Sequence, residues 1–234
     1  MISPWIDIAV TVIAAIGAIV LHEAAHGVAA WLLGDDTAKL AGRFSLNPLR
    51  HIDRVGTILL PGVLLISQLL TIHHVAFMFG WAKPVPVNAF RFRHPRQDMA
   101  LVAAAGPLMN FVLAWLAALL LHATDVWPGA GGDIAEQFLE MFILTNLVLG
   151  LFNLLPIPPL DGGRIVVGVL PLGLAMRWAK LERAGIFLVL IGVFLLPQLM
   201  RQFGVEFDPV GSALNTVIPR ARDLVLQLAG YNNV

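Results

Sequence analysis

The sequence predicts an all-α polytopic membrane protein: a helical bundle with a re-entrant extended hairpin beside a cluster of ionisable residues. Three observations carry that prediction. Of the 234 residues, 58% are apolar and 13% are charged, against about 25% charged in soluble globular domains. Several apolar runs reach the roughly 20 residues that cross a bilayer. Breaks containing Pro84 and Pro86, and Pro156, Pro158 and Pro159, fall beside such runs, where a helix interior is excluded. Net charge is zero, so nothing signals a nucleic-acid partner. There is no cysteine, which excludes disulfides and thiolate ligands and leaves His and carboxylate for any metal.

Residues 5–33 form the first helix, long enough to cross with a turn to spare. The segment before it has no basic n-region, and the apolar run leads to His22 rather than to a cleavage site. It is therefore a retained helix and not a signal peptide. Gly34, Asp35 and Asp36 end it. The loop 37–54 carries Lys39, Arg43, Arg50 and Arg54, and basic residues in short loops mark the cytoplasmic side.

The apolar stretch 55–79 contains Pro61-Gly62 and His73-His74, and 80–88 is expected to be extended with one unpaired edge. Lys83, Arg91, Arg93 and Arg96 follow, so both flanks of 55–79 read as cytoplasmic. A re-entrant hairpin fits, since non-helical backbone at membrane depth must be covered by protein or face a watery cavity. A full crossing is the alternative.

Residues 99–121 span outward, and 122–133 hold no Lys or Arg. Residues 134–155 return, the prolines break the helix, and Asp161-Gly162-Gly163 follows. Arg164, Arg177, Lys180 and Arg183 mark the cytoplasm again, 184–200 run outward, and 221–228 form an amphipathic, interfacial stretch. The expected organisation is one membrane domain, 1–200 with its core at about 5–165, and a tail, 201–234. The N-terminus lies outside.

Residues 21–27 read Leu-His-Glu-Ala-Ala-His-Gly. On a helix His22 and His26 share a face and can hold one metal ion. Glu23, about 100° around the helix, can reach a water on that metal. A zinc-dependent hydrolase needs this arrangement. The bland alternative is a pair of histidines hydrogen-bonded inside a bundle, but intramembrane ionisable groups are functional by default. Zinc wants a third protein ligand. Asp161 is the only acidic residue between Glu140 and Glu182, and it can be that ligand or a helix cap. Asn153 can donate to a developing oxyanion or glue helices together. Asn110 and Asn146 have the same two readings, with structure favoured. His51, His73, His74, His94 and His122 read as loop or interfacial residues.

The motif at His22–His26, the Gly-Pro-Leu-Met-Asn segment from Gly106 to Asn110, and Asn153 followed by Leu160-Asp161-Gly162-Gly163 together resemble the site-2 protease family of intramembrane zinc metalloproteases. The 79–86 stretch resembles its small prokaryotic members, which lack PDZ and CBS domains. The resemblance implies one Zn2+ per chain on His22, His26 and Asp161, with Glu23 as catalytic acid/base and Asn153 assisting the transition state. It implies hydrolysis of a peptide bond in or near a transmembrane segment of a membrane-protein substrate, in a prokaryotic inner membrane. The active site would lie nearer the cytoplasmic face. Trp81, Lys83, Pro84, Val85, Pro86, Val87 and Asn88 are the expected substrate-binding residues, by strand addition. The alternative is a membrane zinc-binding or transport protein without protease activity.

Overall fold

The computed structural model describes residues 4–71, 73–74, 80–124 and 129–231. Among them, five helices are long and apolar enough to cross a membrane. These are α1 (Pro4–Leu32), α2 (Arg54–Thr71), α3 (Pro95–Leu121), α4 (Ala130–Asn153) and α6 (Leu172–Gln202). A short helix α5 (Asp161–Val169) and a longer α7 (Pro209–Leu228) join them, with single helical turns at Thr37–Leu40, Pro48–His51 and Ala89–Arg91 in the connections. The chain is an all-α integral membrane protein, and among the described residues there is no strand.

The centre is α3, which packs against α1, α4, α5 and α7. Its buried side is built from small residues, Ala103, Gly106, Ala114, Ala117 and Ala118. The facing stripe of α1 is Ala14, Ala18, His22, His26 and Ala30. Lipid tails are as apolar as leucine, so helices in a membrane associate through close packing of small residues and through interhelical hydrogen bonds. The large residues point the other way: Ile8, Ile13, Leu32, Leu101, Leu108 and Leu120 are exposed. Pro95 opens α3 at a position where its missing N–H costs nothing. The Asp98 carboxylate accepts the His94 N–H at 2.9 Å, so the helix begins earlier than its apolar run.

Helices α1 and α4 run in the same direction. At one end Gln137 Nε2 donates to Asp7 Oδ1 at 2.6 Å. Helix α5 runs antiparallel along the first turns of α3, where Arg96 donates to the Leu170 carbonyl at 2.6 Å. The last turns of α7 bury Val225 and Leu226 against Ala114, Ala118 and Leu147. The stretch 221–228 is thus the end of a longer helix docked on the α3–α4 pair. The outward crossing placed at 184–200 begins earlier, at Leu172, because the amphipathic turns before it continue into it.

Helix α2 is little buried and ends at Thr71. Residues 72 and 75–79, the far part of the expected hairpin, lie outside the described residues. From Gly80 the chain is non-helical to Asn88 and is fastened to the body by its backbone. The Trp81 N–H meets the Gly56 carbonyl at 3.2 Å, and the Lys83 N–H meets the His51 carbonyl at 2.8 Å. The Asn88 N–H meets Asp35 Oδ2 at 2.6 Å. We call 80–88 the strap.

Candidate metal centre

Two turns of α1 carry His22 and His26, both buried, with ring centroids 4.7 Å apart and nearly perpendicular. Such rings need room on the opposing helix, and Gly106 provides it. A Cβ at 106 would lie 2.5 Å from two His26 ring atoms and 2.6 Å from a His22 ring carbon. The third group comes from 135 positions further along the chain than His26. Helix α4 ends at Asn153, the prolines carry the chain round, and α5 starts with Asp161 in its first turn. A Cβ at Gly163 would sit 2.7 Å from the Pro158 nitrogen, and one at Gly162 would strike the Leu154 and Leu155 carbonyls. The glycine pair lets the chain fold onto its own approach, and that turn aims Asp161 at α1.

The three groups converge. His22 Nε2 and His26 Nε2 are 3.1 Å apart, and Asp161 Oδ2 lies 3.2 Å from the first and 3.3 Å from the second. Tetrahedral zinc with bonds of 2.0–2.2 Å sets neighbouring ligand atoms about 3.3–3.6 Å apart, within a few tenths of this triangle. The second ring nitrogens have acceptors of their own: His26 Nδ1 lies 2.8 Å from the Val102 carbonyl, and His22 Nδ1 lies 2.6 Å from Asn110 Oδ1. With Nδ1 donating at both, each neutral ring offers an Nε2 lone pair beside Asp161 Oδ2. Two imidazoles and a carboxylate so placed are a donor set that a bound cation satisfies. The residues fit Zn2+.

Glu23 is half-buried beside this triangle, and its Oε2 accepts the Val85 N–H at 3.1 Å. The strap therefore crosses the site. Pro84 and Pro86 have no N–H, so Val85 is the only donor in that tripeptide. Asn153 is not brought to the triangle by any hydrogen bond; its Nδ2 donates to the Leu149 carbonyl one turn back, at 2.9 Å. Of the expected substrate-binding residues, Trp81, Lys83 and Asn88 are fastened to the body through their backbone N–H groups and Val85 through Glu23. Pro84 is exposed, and Pro86 and Val87 are half-buried.

Sequence reasoning missed two roles. Gly106 was legible only as part of a motif. Asn110 and Asn146 read as structural, yet Asn110 holds His22 directly and Asn146 Oδ1 accepts from Asn110 Nδ2 at 2.8 Å. The signal was there in the position of two amides on helices that face His22.

YwhC of Bacillus subtilis (strain 168), which is named as a zinc metalloprotease, is 40% identical over 190 residues, 80% of each chain. The sequence profile of Peptidase family M50 matches residues 130–197. This chain belongs to peptidase family M50. Rip2 of Mycolicibacterium smegmatis, also named as a zinc metalloprotease, is 32% identical over 192 residues, 78% of this chain and 65% of that one. A zinc metalloprotease of Methanocaldococcus jannaschii is 30% identical over 87 residues, 37% of this chain and 24% of that one. No solved structure matches. The part matched by the M50 profile includes Asn146, Asn153 and Asp161.

Proposed function

We propose that this M50 protein, an intramembrane zinc metalloprotease, binds its Zn2+ through His22, His26 and Asp161 and cuts membrane-protein substrates in or near a transmembrane segment. The observation that carries the proposal is the buried triangle of ligand atoms, 3.1 to 3.3 Å on a side, with Glu23 next to it. Zn2+ held there supplies Lewis-acid chemistry, polarising a carbonyl and acidifying a water toward neutral pH. Glu23 takes the proton of the attacking water and passes it to the leaving amine. Asn153 turns its amide from the Leu149 carbonyl toward the carbonyl oxygen of the substrate, where charge develops.

A helical substrate hides its peptide bonds, so it has to unwind locally, and the strap offers a place to hold it. In extended chain, successive residues turn their N–H and C=O groups to opposite edges. Trp81, Lys83 and Val85 turn theirs to the body. The open edge then belongs to Ala82, Pro84 and Pro86, and two of these have no N–H. A substrate strand laid on this edge donates its own N–H groups to the three carbonyls.

Topology follows the charge pattern. The basic segments 37–54, 80–96 and 164–183 gather at one end of the bundle, a grouping supported by the Asp35–Asn88 and Arg96–Leu170 contacts. That end is cytoplasmic by the positive-inside rule. The N-terminus and residues 129–133 then lie outside, and the site lies nearer the cytoplasmic face of a prokaryotic inner membrane. The ends of the 56–81 segment meet at the Gly56 carbonyl and Trp81 N–H, which supports a hairpin that enters and leaves on one side. Residues 1–200 form the protease domain, and 201–234 form a tail docked at the outer end.

The test is cleavage of a membrane-embedded substrate by purified protein. Glu23→Gln is expected to keep zinc and to lose cleavage. Cleavage at the wild-type rate by that variant overturns the role of Glu23.

A further inference from the structure

The two histidines of the site place Nδ1 against acceptors of different kinds. His26 Nδ1 donates to a backbone carbonyl, Val102, at 2.8 Å. His22 Nδ1 faces Asn110 Oδ1 at 2.6 Å, and an amide, unlike a carbonyl, can turn over and present NH2 instead. What prevents this lies one residue further away. Asn146 Nδ2 donates to the Phe142 carbonyl at 2.8 Å. That carbonyl only accepts, so the Asn146 NH2 must face it and its Oδ1 must face α3. Asn110 Nδ2 donates to this Oδ1 at 2.8 Å, which turns Asn110 Oδ1 to His22. Both amides have zero exposure, so no bulk water competes along the chain. Gly150, one turn beyond Asn146, lets α3 approach, since a Cβ there would lie 3.2 Å from the Asn110 Cβ.

We propose that Asn146 is a positioning residue for the metal site: through Asn110 it holds His22 as the Nδ1–H tautomer with its Nε2 lone pair toward His26 and Asp161. It touches neither ligand nor reacting atoms. The signal starts at a backbone carbonyl of α4, crosses α3 and ends on α1. Partners of metal-bound histidines of this kind fix ring orientation and raise ligand basicity, and losing one costs about 10- to 100-fold in metal affinity. The inference rests on the proposed zinc site, and its test separates the two.

The experiment uses the full chain in detergent, labelled with 15N-histidine and freed of metal. In the wild type, His22, assigned by the signal lost in His22→Gln, is expected to show a protonated Nδ1 and an unprotonated Nε2. Asn146→Leu keeps the branched shape and removes both polar atoms. It is expected to give a mixture of His22 tautomers and to weaken zinc binding by about 10- to 100-fold in chelator competition. Asn146→Asp is expected to restore the wild-type tautomer and zinc binding, because a buried neutral carboxyl keeps the donor to Phe142 and the acceptor to Asn110. A structural amide would alter stability in these variants and leave the tautomer and zinc affinity of the folded protein alone.

A wild-type His22 without a proton on Nδ1 overturns the proposal, and so does an Asn146→Leu protein with unchanged His22 protonation and zinc affinity. If Asn146→Leu does not fold, Asn146→Ala, which frees the same Asn110 amide without adding bulk, takes its place with the same two outcomes. A wild type that shows the expected tautomer and binds no zinc leaves the relay standing and removes the metal site.

Discussion

Gly106 shows how much of this site depends on an absent side chain. Its hydrogen faces both imidazoles, and a methyl group there has no space. Gly106→Ala is expected to push α3 from α1, to cost about 1–3 kcal/mol as overpacking does, and to weaken zinc binding. Zinc content and thermal unfolding in detergent check both effects. At this scale, sequence reading recovered chemistry better than support. His22, Glu23 and His26 are a local pattern, visible because helix geometry alone puts them together. Asp161 was equally a ligand or a cap until the Gly162–Gly163 turn placed its carboxylate beside the histidines. Asn110 was harder, because an amide declares its role only through its partner, and that partner lies 88 positions away in the chain.

The strap is the element on which access depends. Its middle rests on Glu23 through one backbone N–H. Val85→Pro removes that donor in a stretch already flanked by prolines, whereas Val85→Ala keeps it. We expect the proline variant to bind zinc normally and to lose most cleavage, and the alanine variant to stay within a few-fold of wild type, as measured by zinc content and initial rates. The far end of the strap hangs on Asp35. Burial pushes the Asp35 carboxyl up, but hydrogen bonds from the Thr37 hydroxyl and from the Asn88 and Thr37 N–H groups, with Arg91 nearby, hold it below the usual carboxylate range. A carboxyl lowered on folding stabilises fully above its unfolded value of about 3.9 and loses that contribution as pH falls through its lower folded value. The anchor is therefore expected to hold across neutral pH and to fail only in acid. Asp35→Ala takes away an acceptor of about 1.5–3 kcal/mol, so hydrogen exchange at the Asn88 amide should speed up by at least about tenfold. The sequence signalled extended chain here through Pro84 and Pro86. It could not signal that the inward edge is already occupied, because His51, Gly56 and Glu23 meet the strap only in the fold.

As a whole, the molecule is a membrane bundle with small residues inside and large ones facing lipid, and this was legible in composition and apolar run length. Run length also fixed α1, α3 and α4 to within a few residues, but not an element where an amphipathic segment continues an apolar one. Residues 172–183 look like a surface turn by charge and yet are the first turns of α6. The docking of α7 was illegible for a similar reason. Its amphipathic face suits a membrane surface and a helix pair equally, and Val225 and Leu226 chose the helix pair. Orientation has a clean test, because the chain has no cysteine to add background. With a membrane-impermeant thiol reagent, Asp133→Cys is expected to label from outside and Lys83→Cys only after the membrane is opened. Labelling of both from outside contradicts the assigned topology.

The claim on which everything else rests is that two helices distant in sequence share one zinc ion, and Asp161 is the residue that makes it so. The direct measurement is zinc bound per chain in wild type and in Asp161→Ala, each purified in detergent and challenged with the same chelator. The wild type is expected to keep about one Zn2+ and Asp161→Ala to surrender it. If Asp161→Ala holds zinc as tightly as wild type, His22 and His26 have a different third partner and the site described here is wrong.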